Sequence, residues 1–444
     1  MVFDLVLHGA TIVYPDGKVA ADVGIRDGKI MEIGDLSSAV GLERVDGSGQ
    51  YLMPGGIDTQ VHFREPGLTH KEDLATGSLA AICGGVTSFL EMPNTNPSTT
   101  SASALAEKIE AASGRCWANF GFFFGGTAGN ADFLAEYEML PGVPGIKVFV
   151  GSSTGDLLVD EQDDLVRVFS HGHKIVAVHS EDETRNVERK SLISASPTVH
   201  EHPYLRDAES AVISTKRLIR LCEETGRPLH ILHISTGDEL PLIAAAKAKG
   251  LPVTCEVTPQ HLWFSAPSCY DTLGSKAQMN PPLRDDSHRS ALWKALDSGL
   301  FDVFGSDHAP HTVEEKSLPY PKSPSGMPGV ETILPVLMTF ASQGRISYET
   351  IVQMFCVRPA ELYSMVGKGR IDVGYDADLV LFDPTMKWVV DETKLHSKCG
   401  WSPYQGVELT GRIHSVFLSG KLAATDGEPL GSPLGRCLEF GGQS

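Results

Sequence analysis

Five residues able to bind a metal ion or carry a proton stand at or just past the ends of short apolar runs. They are His62 in GIDTQVHF, Lys147 in GIKVFV, His179 in KIVAVHSE, His233 in LHILHIST and Asp307 in DVFGSDHAP. Imidazole and carboxylate are suitable ligands for a borderline divalent ion such as zinc. A single histidine at a strand end is ordinarily a hydrogen-bonded structural residue, but five such groups on five separate runs are hard to explain as packing. Together they point to a metal centre. A metal supplies the nucleophile by lowering the pKa of bound water from about 15.7 towards 7, and no serine or cysteine nucleophile motif competes with it. Asp307, in FGSDHAPHTVEEK, is the expected general base and later acid.

Lys147 needs its own reason, because an ammonium cannot ligate a metal and an inward lysine is expensive to bury. Carboxylation of its Nζ by carbon dioxide would make it an anionic bridge between two ions. The alternative is a lysine paired with a nearby carboxylate such as Asp156.

The elements that would position these residues follow from the pattern of the chain. From Pro54 to Lys368, apolar runs alternate with helical patterns such as KEDLATGSLAAICGG and AESAVISTKRLIRLCEETG. Eight candidate strands result: GIDTQVHF, VTSFLEMPN, ANFGFFFGG, GIKVFVGSS, KIVAVHSE, LHILHIST, VTCEVTPQ and DVFGSDHAP. This predicts an α/β fold, a (β/α)8 barrel over residues 54–368, with the five residues converging on its C-terminal mouth. A doubly wound sheet would want a glycine-rich turn after its first strand, and GGIDTQVHF supplies none. Residues 1–53 and 369–444 alternate apolar and polar positions around PDG and RDG turns, which predicts one small antiparallel β domain, a β-sandwich, built from both ends. The proline-rich segment 311–329 is long enough to be a lid.

With 444 residues, 41% hydrophobic, the chain has ample material for a large core. A net charge of -19 argues against nucleic acid or an anionic membrane as partner. The eight cysteines form no CxxC pair and read as reduced, buried thiols. The N-terminal segment MVFDLVLHGATIVYPDG has neither a basic leader nor a long apolar core, so a cytoplasmic location is expected.

The segments PGGIDTQVHFREPG, GGVTSFLEMPNTNP, GIKVFVGSSTG, AVHSEDE, LHILHISTGDEL, CEVTPQHL, QMNPPLR, GSDHAPHT and GRIDVGYDADLVLFD resemble the dihydroorotases of the amidohydrolase superfamily over nearly the whole chain. GIDxxVH alone is superfamily-level; HFREPG with EMPNTNP and DHAPHT is specific. The resemblance implies reversible closure of N-carbamoyl-L-aspartate to (S)-dihydroorotate in pyrimidine (UMP) synthesis. One or two zinc ions would be held by His62, Lys147, His179, His233 and Asp307. Arg64 would clamp the substrate carboxylate, with Asn94, Asn280 and His311 completing the polar contacts. Against these stand plainer roles: a turn for Asn94 between Pro93 and Pro97, a turn for Asn280, and an internal ion pair for Arg64 beside Glu65. Relatives are often homodimers, and an association with aspartate transcarbamoylase is known for some.

Two departures from the family pattern matter. Where most relatives have His-x-His on the first strand, this chain has Gln60-Val61-His62, which puts the more buried of two metal positions in question. In TPQHL only His261 stands where many relatives have two histidines. His230 reads as a packing residue, and His171 and His173 as surface loop. The alternatives carried forward are another cyclic amidohydrolase (hydantoinase, dihydropyrimidinase or allantoinase), in which Arg64 would lack a charged partner, and a non-catalytic scaffold subunit.

Overall fold

The computed structural model describes residues 2–151 and 157–441. Each of the eight expected runs contains a strand: Gly56–Val61, Val86–Glu91, Asn119–Phe122 continued by Phe124–Gly125, Ile146–Phe149, Val176–His179, Leu229–Ile231, Val253–Val257 and Val303–Phe304. Successive strands pair in parallel. The third breaks at Phe123, its first part pairing with the second strand and its second part with the fourth. A parallel bridge from Val61 to His308 closes the ring. Such strands are covered on both faces, which is why they read as nearly continuous apolar runs.

Helices follow the strands and pack their apolar faces on them. Leu74–Cys83 starts with a capping box in which Asp73 accepts from the Thr76 N–H and Thr76 answers with its hydroxyl. Ala208–Thr225, the longest, is capped by Asp207 and ends at Gly226, whose φ of +71° is the left-handed conformation that glycine adopts without penalty. Leu218, Leu221 and Cys222 on its buried face join Val176, Val178, Leu229 and Ile231 in the main core.

The two chain ends build the remaining sheets, but not as a purely antiparallel structure. Val2–His8 pairs antiparallel with Asp22–Arg26 and parallel with Val40–Asp46. Thr11–Tyr14 runs parallel to Tyr51–Pro54, which pairs antiparallel with Leu379–Val389. The antiparallel expectation is corrected to mixed sheets. Hairpin-like texture reports only local turns, and the intervening strands themselves provide the long crossover that parallel pairing needs. Leu5, Leu7, Ile12, Val23, Leu52, Leu379 and Phe417 form the core of these sheets.

Segment 311–329 is packed down. Thr312 caps a short turn, Val313–Lys316. The buried Lys316 Nζ donates to the carbonyls of Gln278, Pro324 and Gly326 at 2.9–3.1 Å. Trp401 Nε1 donates to the His311 carbonyl at 2.8 Å. All eight cysteines are free thiols. Among the described residues, no helix is long and apolar enough to cross a membrane.

Candidate active site

The barrel brings His62, His179, His233 and Asp307 to the C-terminal ends of their strands, with Lys147 within the fourth, and all five are buried. The backbone there is unusual. Arg64, His233 and Asp307 have φ of +67°, +36° and +44°, and a non-glycine residue in such a conformation costs roughly 1–3 kcal/mol. Strain of this kind persists where surrounding contacts over-determine it, and at His233 the contact is visible. Glu256, on the neighbouring strand, accepts the His233 N–H at 3.3 Å and the Thr59 hydroxyl at 2.7 Å, tying the first strand to the sixth. Gly305 leaves room for that carboxylate: a Cβ there would lie 2.3 Å from Glu256 Oε2.

The candidate donors form two pairs. His179 Nδ1 faces His233 Nε2 at 3.1 Å, close to the roughly 3.3 Å between two imidazole nitrogens on one tetrahedral zinc. His62 Nε2 faces Asp307 Oδ1 at 3.2 Å. Among the described residues, no three His, Cys, Asp or Glu side chains close into a metal cage by themselves. The fifth candidate is a lysine. Among the described residues its buried Nζ, 4.4 Å from the Phe149 ring centroid, has no hydrogen-bond partner, and neither have His233 Nδ1 and Gln60 Oε1. Orphaned polar atoms packed beside paired donors fit a missing polar group. Asp156, the alternative partner for Lys147, lies outside the described residues.

Three of the four paired donors are oriented from behind. His62 Nδ1 meets Asn94 Oδ1 at 2.7 Å. Asp307 Oδ1 accepts from Gln60 Nε2 at 3.0 Å; the reversed amide would set two oxygens against each other. His179 Nε2 meets Glu181 Oε2 at 2.7 Å, and Arg206 pairs with that carboxylate.

Burial dominates the electrostatics. It pushes Lys147 down to about 7 and, with Glu256, pushes Asp307 up to about 7. It holds His62 and His233 well below the usual histidine range, and His179 below it too. The charge of Lys147 bears on both pairs. The mouth therefore favours neutral imidazoles, the state in which they can ligate.

Arg64 is buried, donating from Nε to the Pro310 carbonyl at 3.2 Å, with Nη2 3.3 Å from His311 Nε2. It is not ion-paired to Glu65, which turns to Arg115 at 2.8 Å. Among the described residues, no carboxylate lies within ion-pairing distance of it. His311 is held between the Ser325 carbonyl, 2.9 Å from Nε2, and Lys71 Nζ, 3.1 Å from Nδ1. Asn280 is joined to His202 rather than to the two donor pairs, its Oδ1 lying 3.0 Å from His202 Nε2. Both residues line a cavity of about 400 Å³ with Arg206, Tyr320 and Ser325. His261 has both ring nitrogens committed, to Thr258 and to the Pro281 carbonyl. His230 packs with Nδ1 on Thr254.

Sequence reasoning missed Glu181, Arg206 and Glu256. Glu181 had a signal, standing two residues after His179 in HSEDE. Arg206 had none, being 25 residues downstream.

Residues 51–423 match the amidohydrolase family. The chain belongs to that family. A dihydroorotase from Halobacterium salinarum is 38% identical over 403 residues, 88% of this chain and 92% of the relative. An allantoinase from Deinococcus radiodurans is 32% identical over 449 residues, 99% of each. The solved L-hydantoinase (dihydropyrimidinase) from Arthrobacter aurescens superposes with a TM-score of 0.94 at 30% identity, covering 98% of this chain and 99% of that one. The chain is thus a barrel-fold hydrolase acting on cyclic amides. The relatives' names divide among several rings, so the choice of substrate falls to the chemistry of the site.

Proposed function

We propose that this amidohydrolase is a metal-dependent dihydroorotase, interconverting dihydroorotate and N-carbamoyl-L-aspartate. One observation carries the choice of ring: Arg64 is a buried guanidinium on a strained backbone, with no carboxylate near enough to pair with it among the described residues. A buried cation without an ion-pairing anion is costly. A carboxylate on the substrate ring supplies the missing anion through the planar fork that Arg presents, whereas an uncharged hydantoin or dihydrouracil ring leaves it stranded. His311 lies beside Arg64 and Asn94 beside His62, and on this reading they contact the ring's polar atoms. Asn280, joined to His202 in the wall of the cavity, would contact the far side of the substrate.

His62, Lys147, His179, His233 and Asp307 would hold one or two divalent ions, zinc being the best match to their donor set. When bound there, such an ion polarises the ring carbonyl and lets water act as a nucleophile near neutral pH. Burial pushes Lys147 down to about 7, which favours its neutral amine. That is the form whose Nζ can add carbon dioxide and lose a proton to become a carbamate. In the hydrolytic direction Asp307 takes the proton of the attacking water and returns it to the ring nitrogen as the amide C–N bond breaks; Gln60 keeps its carboxylate aimed.

The test is metal analysis of the purified protein with hydrolysis assays on dihydroorotate, hydantoin, dihydrouracil and allantoin. Zinc-dependent turnover of dihydroorotate is expected to exceed that of the neutral rings by at least 100-fold. Turnover of a neutral ring without dihydroorotate would refute the substrate assignment. Protein without turnover on any ring, unrescued by zinc, would instead fit a scaffold.

A further inference from the structure

Behind the His179–His233 pair lies a charged couple to which the reaction assigns no step. Glu181 is wholly buried. Its Oε2 meets His179 Nε2 at 2.7 Å, its Oε1 accepts from Arg206 Nε at 3.2 Å, and the guanidinium also closes on Oε2. The Arg206 guanidinium, in contact with both of its oxygens, makes it the anionic half of a buried ion pair. An ionised carboxylate only accepts, so the hydrogen sits on His179 Nε2 and the lone pair of the neutral ring is on Nδ1, the atom that faces His233.

The brace is itself fixed. The Arg206 carbonyl accepts from Arg284 Nη1 at 3.0 Å, and Arg284 Nε donates to Ser235 Oγ at 3.1 Å, two residues beyond His233. On its other side Glu181 is followed by Asp182, whose N–H bonds to the Ser210 carbonyl at 3.0 Å at the start of the longest helix. One frame of hydrogen bonds therefore spans the ends of the fifth and sixth strands.

We propose that Glu181, braced by Arg206, is a positioning residue that fixes the tautomer and ring direction of His179, so that the His179 and His233 lone pairs converge on one divalent ion. This rests on the metal-dependent reading above. The competing role is purely structural, a buried ion pair tying segment 202–207 to the barrel. That role would change the stability of the fold without changing zinc affinity in the folded protein.

The experiment measures zinc affinity by chelator competition, the visible spectrum of the cobalt-substituted protein, and the melting temperature of the metal-free protein. Glu181→Gln is expected to weaken zinc binding by about 10–100-fold, the usual effect of losing such a partner, and to alter the cobalt spectrum. Because it removes the carboxylate with which Arg206 pairs, the double variant Glu181→Gln/Arg206→Met serves as its control. It should recover melting temperature while zinc binding stays weak, and it carries the test if the single variant does not fold. Zinc affinity within twofold of wild type in the double variant, or in a folded single variant, overturns the proposal. Wild-type protein that takes up no zinc overturns the underlying metal reading instead, a distinguishable result.

Discussion

The two sides of the barrel mouth are held by different chemistry. His62 and Asp307 are oriented by neutral amides, Asn94 and Gln60, at 2.7 and 3.0 Å. His179 is oriented by a buried carboxylate with an arginine behind it. An amide sets geometry without adding charge, whereas a carboxylate also raises the basicity of the ring it holds. On the proposed reading, tight ion binding falls to the His179–His233 side, while Asp307 moves a proton and Arg64 holds an anion.

The sharpest way to break this contrast is Asp307→Asn. On our account it lowers kcat by about 10²–10⁴-fold while zinc on the His179 side is retained; equal loss of zinc and rate would erase the distinction. His233→Ala should do the reverse, stripping the ion and activity together, and dialysis against a chelator should mimic it reversibly, as metal content and rate measured in parallel would reveal. Next in size is Arg64→Met, expected to cost about 10–100-fold in KM for dihydroorotate, the worth of one charge-assisted hydrogen-bonded contact, with little change in zinc content. Gln60→His should raise bound metal towards a second equivalent, since it replaces a weak ligand by an imidazole; an unchanged metal count would mean that Gln60 does not limit the site. Asn94→Ala should be the mildest, a few-fold loss of rate from a less ordered His62.

The eight barrel strands were legible because each is a short run covered on both faces, and such runs are apolar almost without interruption. The grouping of His62, Lys147, His179, His233 and Asp307 was legible for a related reason: polar residues on those apolar runs have no packing role. What stayed hidden depends on distance along the chain. The pairing of Glu181 with Arg206 joins residues 25 apart, and the parallel partnership of Val2–His8 with Val40–Asp46 crosses four intervening strands. Periodicity reports which face of an element is buried and says nothing about its neighbour. The Asn280–His202 contact belongs to the same class, being read only once the cavity wall is assembled.

The central claim is that this mouth recognises an acidic ring, and the most direct test compares kcat/KM for dihydroorotate and for uncharged dihydrouracil in zinc-loaded wild type and Arg64→Met. The account predicts a strong preference for dihydroorotate in the wild type that falls by about 10–100-fold in the variant. A preference that survives loss of Arg64, or a wild type that favours dihydrouracil, would contradict it.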